Sequence, residues 1–247
     1  RIVEFSPDWI YTTPSAIMVF IDFCKRNGYE KPKSVKYIEL YGELVSSAAY
    51  NTISDFFGVP CAVMYGAKEV NTIALMCPHG HLHVLTDNVY VEIHQGELLL
   101  TSLKNTVFPI IRYAIGDNVE LESVNCSCGG AELCIKNIFG RAPQINYLKD
   151  TNGLTTKVLG NAVFIANERL GAPILQYQVV IHKTDVELVL SVKSSFKTWK
   201  NAIINEIYDC LMDYNIGKDK IKIQIQESLL EINPNTAKLP QFIVKEN

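Results

Sequence analysis

Cys77, His83, Cys126 and Cys128 form two short pairs on either side of a β-patterned stretch. Three thiolates and one imidazole suit a tetrahedral structural Zn²⁺ that keeps no position open for substrate. The Cys126-x-Cys128 gap is tighter than the roughly two to four residues usual between such ligands, and His79, His81 and Cys134 are rival donors. Reduced, packed cysteines would satisfy the same pattern, because free Cys is common in cores. A second group of residues offers oxygen and cationic chemistry. In Tyr65-Gly66-Ala67-Lys68-Glu69, Gly66 allows a ligand close to the backbone and Glu69 presents a hard oxygen donor for Mg²⁺. Arg112-Tyr113-Ala114-Ile115-Gly116-Asp117 sets an Arg and an Asp around a turn at a strand boundary, where an Asp can accept both hydroxyls of a ribose. Taken alone, either segment is equally a plain turn with a solvated carboxylate.

These residues need elements to hold them. Thr13-Pro14 followed by Ala16, Ile17, Val19, Phe20 and Phe23, with Gly28 at the far end, predicts a capped amphipathic helix. Val35 to Leu40 reads as a strand, Ser46 caps a helix running to Phe57, and Cys61 to Tyr65 is a second apolar strand. Strand, helix, strand makes two parallel strands, and ligands of open parallel sheets gather at the strands' carboxyl ends. Here those ends are Tyr41-Gly42-Glu43 and Tyr65-Gly66.

From Leu82 to Leu121 short strands alternate with turns, at Leu82 to Leu85, Val89 to Ile93, Glu97 to Thr101 and Val119 to Glu122. The texture changes near Gly140-Arg141, giving a helix over Lys157 to Arg169 and strands Ile174 to Ile181, Val186 to Val192 and Ile221 to Gln226. Between the last two, Phe196, Trp199, Ile203, Ile207 and Leu211 are spaced for one buried helical stripe. Cys24, Cys61 and Cys210 fall in apolar patterns and read as packing, and Trp9 and Trp199 as anchors of local cores.

Composition narrows the classes. With 48% hydrophobic residues in 247, the chain can bury a core large enough for one or two compact units. A net charge of −3 without a basic stripe argues against nucleic acid as a partner. The apolar stretch Ala16 to Phe23 is broken by Asp22 and falls short of the ~18 to 20 residues a membrane span needs. Seven cysteines, an odd number without a signal peptide, favour reduced thiols or metal ligands and a cytoplasmic setting. Arg1-Ile2-Val3 reads as an internal start, as though cut from something longer.

In order, Gly42-Glu43, Tyr65-Gly66-x-x-Glu69, Gly96-Glu97-Leu98, Pro109-x-x-Arg112-Tyr113 to Gly116-Asp117, Cys126-x-Cys128-Gly129 and Gly140-Arg141 run over most of the chain. Together they resemble the carboxyl-terminal two thirds of the phenylacetate-CoA ligase family, the branch of the adenylate-forming (acyl-activating) superfamily that also takes in capsule-biosynthesis proteins. The resemblance implies an α/β fold: the carboxyl-terminal part of a large adenylate-forming domain over residues 1–140, followed by a small α+β lid domain over 141–247. Within the first, a parallel α/β unit would cover 1–76 and a β-rich subdomain 77–140. It further implies that Gly42 and Glu43 border the adenine, that Tyr65 and Gly66 flank the nucleotide, and that Glu69 binds Mg²⁺. Asp117 and Arg141 would hold the ribose. The loop Pro234-Asn235-Thr236-Ala237-Lys238 looks like the family's last loop, whose lysine reaches the α-phosphate and the acyl oxygen, which makes Lys238 the candidate catalytic residue.

ATP or AMP, Mg²⁺ and coenzyme A are the cofactors so implied, with a small carboxylic acid and a thiol acceptor as partners. The family's Ser/Thr/Gly-rich phosphate loop lies upstream of everything matched here, so either a missing amino-terminal segment or a partner chain would supply it, or the protein does not turn over ATP in the usual way. Three positions depart from the pattern. Lys68 stands where the family has Thr or Ser, and its cation could still meet phosphate. Pro143 follows Gly140-Arg141-Ala142, where the family usually has an Asp or Lys hinge, and Ala237 replaces a glycine. The reading is therefore an acyl-adenylate-forming ligase. Its alternatives are a non-catalytic zinc-stabilised nucleotide-binding or interaction module, and one half of a split adenylating enzyme.

Overall fold

In the computed structural model, residues 2–141, 156–182 and 185–245 are described. Pro143 lies outside them. The chain divides into two compact units: residues 1–13, 32–44 and 57–143 form one, and residues 14–31, 45–56 and 144–247 the other. The segments 14–31 and 45–56 thus group with the carboxyl-terminal residues.

After the short helix α1 (Ile2–Phe5), the first unit is a nine-stranded sheet. Its strands are β1 (Trp9–Thr12), β2 (Tyr37–Tyr41), β3 (Cys61–Ala67), β4 (Asn71–Met76), β5 (Leu82–Val84), β6 (Val89–His94), β7 (Glu97–Ser102), β8 (Tyr113–Ser123) and β9 (Leu133–Arg141). The spatial order is β1-β2-β3-β4-β5-β9-β8-β7-β6. β1, β2 and β3 run parallel, with Tyr41 opposite Met64, and every later pair is antiparallel. No break separates the parallel strands from the antiparallel ones, because β4 pairs with both β3 and β5.

Alternation along β7 and its neighbours packs Ile73, Leu98 and Leu100, each fully buried, with Val84, Val119 and Ile135 into one cluster. Each such side chain contributes about 1.5–3 kcal/mol through removal from water. β1 is short and half exposed, with Trp9 55% and Tyr11 46% accessible. Its sequence has no alternating apolar pattern to announce it. Trp9 is correspondingly no core anchor.

The second unit contains α2 (Pro14–Asn27), α3 (Ser47–Phe57), α4 (Thr156–Arg169), α5 (Lys200–Met212) and a four-stranded sheet in the order β12-β11-β10-β13. Its strands are β10 (Ile174–Ile181), β11 (Val186–Val192), β12 (Ile221–Gln226) and β13 (Phe242–Val244). β10 and β11 are antiparallel, and β12 and β13 flank them in parallel. Ser46 caps α3, its Oγ accepting from Ala49 N–H at 3.1 Å, and can donate to the Ile174 or Leu175 carbonyl at 2.9 Å. Gln176 is nine-tenths buried. Its amide meets Ser15 Oγ at 3.3 Å and accepts from Leu230 N–H at 2.9 Å.

The buried face of α2 is Pro14, Ile17, Met18, Ile21 and Cys24, leaving Val19 and Phe23 exposed where the sequence pattern assigned them to the core. On α5, Ile203, Ile207, Cys210 and Leu211 are buried. Trp199 is 46% exposed instead of completing that stripe. Phe196 and Trp199 belong to a 3₁₀ turn (Ser194–Trp199) kinked at Phe196, and the kink breaks the 3.6-residue phase that their spacing suggested. Among the described residues no helix is long and apolar enough to cross a membrane.

Candidate functional site

Two groups of chemically capable residues come together in the first unit. The first lies where the parallel strands end. Gly42 turns the chain after β2 at φ +74°, a backbone conformation that residues with a Cβ rarely adopt, and Glu43 follows, half-buried. Next to it, β3 ends in Tyr65-Gly66-Ala67. A Cβ on Gly66 would collide with the Asn71 carbonyl across the hairpin, which explains a glycine at that point independently of any ligand. Lys68 and Glu69 occupy the β3–β4 turn, both side chains exposed. Glu69 is a solvent-facing hard oxygen, compatible with Mg²⁺, which is commonly held by one or two carboxylates plus substrate phosphates.

β8 brings Asp117 to the same group. Tyr65 donates its phenolic proton to Asp117 Oδ2 at 2.7 Å, joining residues 52 apart in sequence. Arg141 stands directly opposite Asp117 in the β8–β9 register. Arg112, in the left-handed region at φ +50°, directs its N–H to Thr101 Oγ1 at 3.0 Å and its guanidinium to Glu92 at 3.2 Å. Residue type marks Tyr65 and Asp117 as candidates, but nothing in their spacing shows that one holds the other. Tyr11, which no local motif marks, stacks its ring on Tyr41 at 4.0 Å and 6°. Burial, with Tyr41 and Glu39 adding to it, raises the pKa of the Tyr11 phenol.

Lys238 belongs to the second unit. It closes a tight loop whose ends bridge at Asn233 and Lys238, with Asn233 N–H on the Lys238 carbonyl and Ala237 N–H on the Asn233 carbonyl, both at 2.8 Å. Asn233 Oδ1 accepts from Asn235 N–H at 2.9 Å and Thr236 N–H at 3.3 Å. Ala237 adopts φ +53°, a conformation suited to glycine.

The second group is the thiol and imidazole cluster. The ligand atoms of Cys77, His83, Cys126 and Cys128 all lie within 4.8 Å of one another. Cys77 follows β4, His83 lies in β5, and Cys126 and Cys128 sit in the β8–β9 connection. The rivals are not members of this group. His79 meets Ser127 Oγ at 3.2 Å, His81 lies edge-on to the His83 ring, and Cys134 is fully buried with its Sγ 3.3 Å from His83 Nδ1. Burial opposes ionisation of Cys77, but hydrogen bonds from the His79 and His81 backbone, His83 and Cys126 outweigh it and hold that thiol down to about 6. The Cys128 backbone lowers Cys126, yet burial and the Cys128 and Cys77 sulfurs push it up to about 11. All seven cysteines are free thiols, Cys24 and Cys210 buried and Cys61 partly so.

No family profile matches the chain. In sequence it is similar to a phenylacetate-coenzyme A ligase of Thermus thermophilus, 24% identical over 216 residues, covering 79% of this chain and 47% of that protein. In structure it is similar to 2-hydroxyisobutyryl-CoA ligase bound to an acyl-AMP in the postadenylation state, with TM-score 0.74 and 15% identity over 99% of this chain and 56% of that one. It is also similar to an anthranilate CoA ligase bound to anthranoyl-AMP, with TM-score 0.58 and 13% identity over 96% of this chain and 49% of that one. The chain therefore spans about half the length of these relatives. It shares the α/β fold of these adenylate-bound CoA ligases over about half of their length and is similar in sequence to a phenylacetate-coenzyme A ligase.

Proposed function

We propose that this chain is the carboxyl-terminal part of an ATP-dependent acid–thiol ligase. A carboxylate oxygen attacks the α-phosphorus of ATP and displaces pyrophosphate. A thiol sulfur, that of coenzyme A, then attacks the acyl carbon of the mixed anhydride and displaces AMP. The observation that carries this reading is the Tyr65–Asp117 hydrogen bond of 2.7 Å beside the parallel-strand ends, with Arg141 across the ladder from Asp117.

Asp117 is the ribose acceptor: with one carboxylate oxygen fixed by Tyr65, its rotamer is set before the hydroxyls arrive, which lowers the ordering cost of binding. Gly42 and Glu43 border the adenine, and the exposed backbone at Gly66 lies alongside the nucleotide. The Lys68 ammonium meets phosphate oxygen in place of a hydroxyl. Glu69 supplies the carboxylate for Mg²⁺, which neutralises phosphate charge when bound. Lys238 stabilises the charge that develops on the transferring phosphoryl group, an electrostatic role needing no proton transfer. The likeness to acyl-AMP-bound CoA ligases supports the assignment of carboxylic acid, ATP and coenzyme A as reactants.

Exchange of labelled pyrophosphate into ATP, measured on the complete gene product against a panel of carboxylic acids, tests the reading. Acid-dependent exchange that is abolished by Lys238→Ala is the expected result. AMP binding without exchange for any acid would replace it with a nucleotide-binding module that does not turn over.

A further inference from the structure

We infer that Cys77, His83, Cys126 and Cys128 form a closed Zn²⁺ centre that staples the two halves of the nine-stranded sheet together. Geometry supports the metal first. Thiolate sulfurs placed about 2.3 Å from a tetrahedral zinc stand about 3.8 Å apart, and Cys77 Sγ and Cys126 Sγ are 3.8 Å apart. That separation is nearly twice the ~2.05 Å of a disulfide bond. His83 Nε2 lies 3.2 Å from Cys128 Sγ, and the ligand atoms of all four residues lie within 4.8 Å of one another.

The imidazole is also prepared for ligation. Its other nitrogen, Nδ1, contacts the Ala131 carbonyl at 2.5 Å and therefore carries the proton, leaving the Nε2 lone pair for a metal. The ring lies against Gly130, where a Cβ would stand 2.9 to 3.1 Å from its carbons and Nδ1. A glycine there lets the β8–β9 connection lie flat on the imidazole. Cys134, on the Nδ1 side, is a packing neighbour of the ligand and not itself a ligand. Three thiolates and one imidazole exclude the oxygen-seeking cations and favour zinc, with no open position for chemistry.

The staple follows from topology. Among the described residues, the one strand ladder that joins the β1 to β5 half of the sheet to the β9 to β6 half is that of β5 with β9, and it has two residue pairs, Leu82 with Ile135 and His83 with Cys134. Two of the ligands, Cys77 and His83, belong to the first half, and Cys126 and Cys128 to the second. The metal would thus close the seam at one end. Tyr65 on β3 and Asp117 on β8 also face each other across it. The centre stands independently of the ligase reading, since nothing in it depends on nucleotide.

The full chain, purified without chelator, is expected to carry about one equivalent of zinc by elemental analysis. Cobalt(II) in its place should give the intense visible absorption of a tetrahedral thiolate site. Cys126→Ser/Cys128→Ser should lose the metal, and Cys134→Ala should keep it. Stripping the zinc should speed amide exchange in β5 and the start of β9 by roughly tenfold or more, while β10 and β11 stay unchanged. Less than half an equivalent of zinc, metal retained in the double variant, or an octahedral cobalt spectrum overturns the centre. Unchanged exchange at β5 and β9 after stripping overturns the staple. Because pyrophosphate exchange is not used, either failure is distinguishable from failure of the ligase reading.

Discussion

The Tyr65–Asp117 bond can be weighed by a double-mutant cycle of Tyr65→Phe and Asp117→Ala. Removing the phenol oxygen leaves the ring's packing in place and deletes one hydrogen bond to a carboxylate, at 2.7 Å between strands four positions apart in the sheet. Hydrogen bonds to charged groups are worth about 1.5–3 kcal/mol net. Both residues are half-exposed, and solvent competition brings the expected coupling to about 1–2 kcal/mol, a factor of roughly 5 to 30 in the folded-to-unfolded ratio. Urea unfolding is the assay. The chain has two tryptophans, one in each unit, and Trp199 is substantially exposed, so a Trp199→Phe background leaves Trp9 to report the first unit alone. Effects of the two substitutions that add to within about 0.3–0.5 kcal/mol would mean no coupling and would refute the cross-sheet tie. Under the ligase reading, Tyr65→Phe should also weaken AMP binding by a similar factor, because Asp117 would lose its fixed rotamer.

Gly66→Ala forces the β3–β4 hairpin apart at the Asn71 carbonyl and should destabilise the first unit by about 1–3 kcal/mol, read from the urea midpoint; a change under about 0.5 kcal/mol would contradict the close approach. Ala237→Gly relieves a left-handed alanine. Its gain is partly offset by the glycine's larger unfolded-state entropy, so a net stabilisation of about 0.5–1 kcal/mol is expected in the melting temperature. Burial raises the Glu39 pKa, so the folded form holds its proton more readily than the unfolded form. That group's contribution is full at acid pH and is lost as pH rises through the raised folded value. Glu39→Gln should therefore stabilise the protein at neutral pH, by less than about 1 kcal/mol, with no gain at pH below the carboxylate range. A gain that grows toward acid pH would show the sign to be wrong.

Local patterns made much of the fold legible. The two-residue period of Val186 to Val192 and of Ile221 to Gln226 is fixed by which face meets the core, and both are strands. The Ser46 cap, the helix to Phe57 and the strand from Cys61 follow from neighbouring residues alone, because caps and turns are satisfied within a few positions. Cys77, His83, Cys126 and Cys128 were recognisable as donors from residue type and spacing. His79, His81 and Cys134 are rivals by residue type alone, and it is the β5–β9 pairing that sets Cys134 opposite His83, on the Nδ1 side of its ring.

Other features were set only by the tertiary fold. Nothing near Tyr65 in sequence indicates that its hydroxyl meets Asp117, since the two are joined through strands that pair at long range. The kink at Phe196 takes Trp199 out of a stripe that its spacing fitted, and β1 forms because β2 offers it an edge rather than because its own residues demand a strand. Sequence fixes what each segment can bury and which atoms it can offer. Which offered atoms meet depends on strand order and register, and these are decided by the free energy of the whole sheet rather than by any one segment.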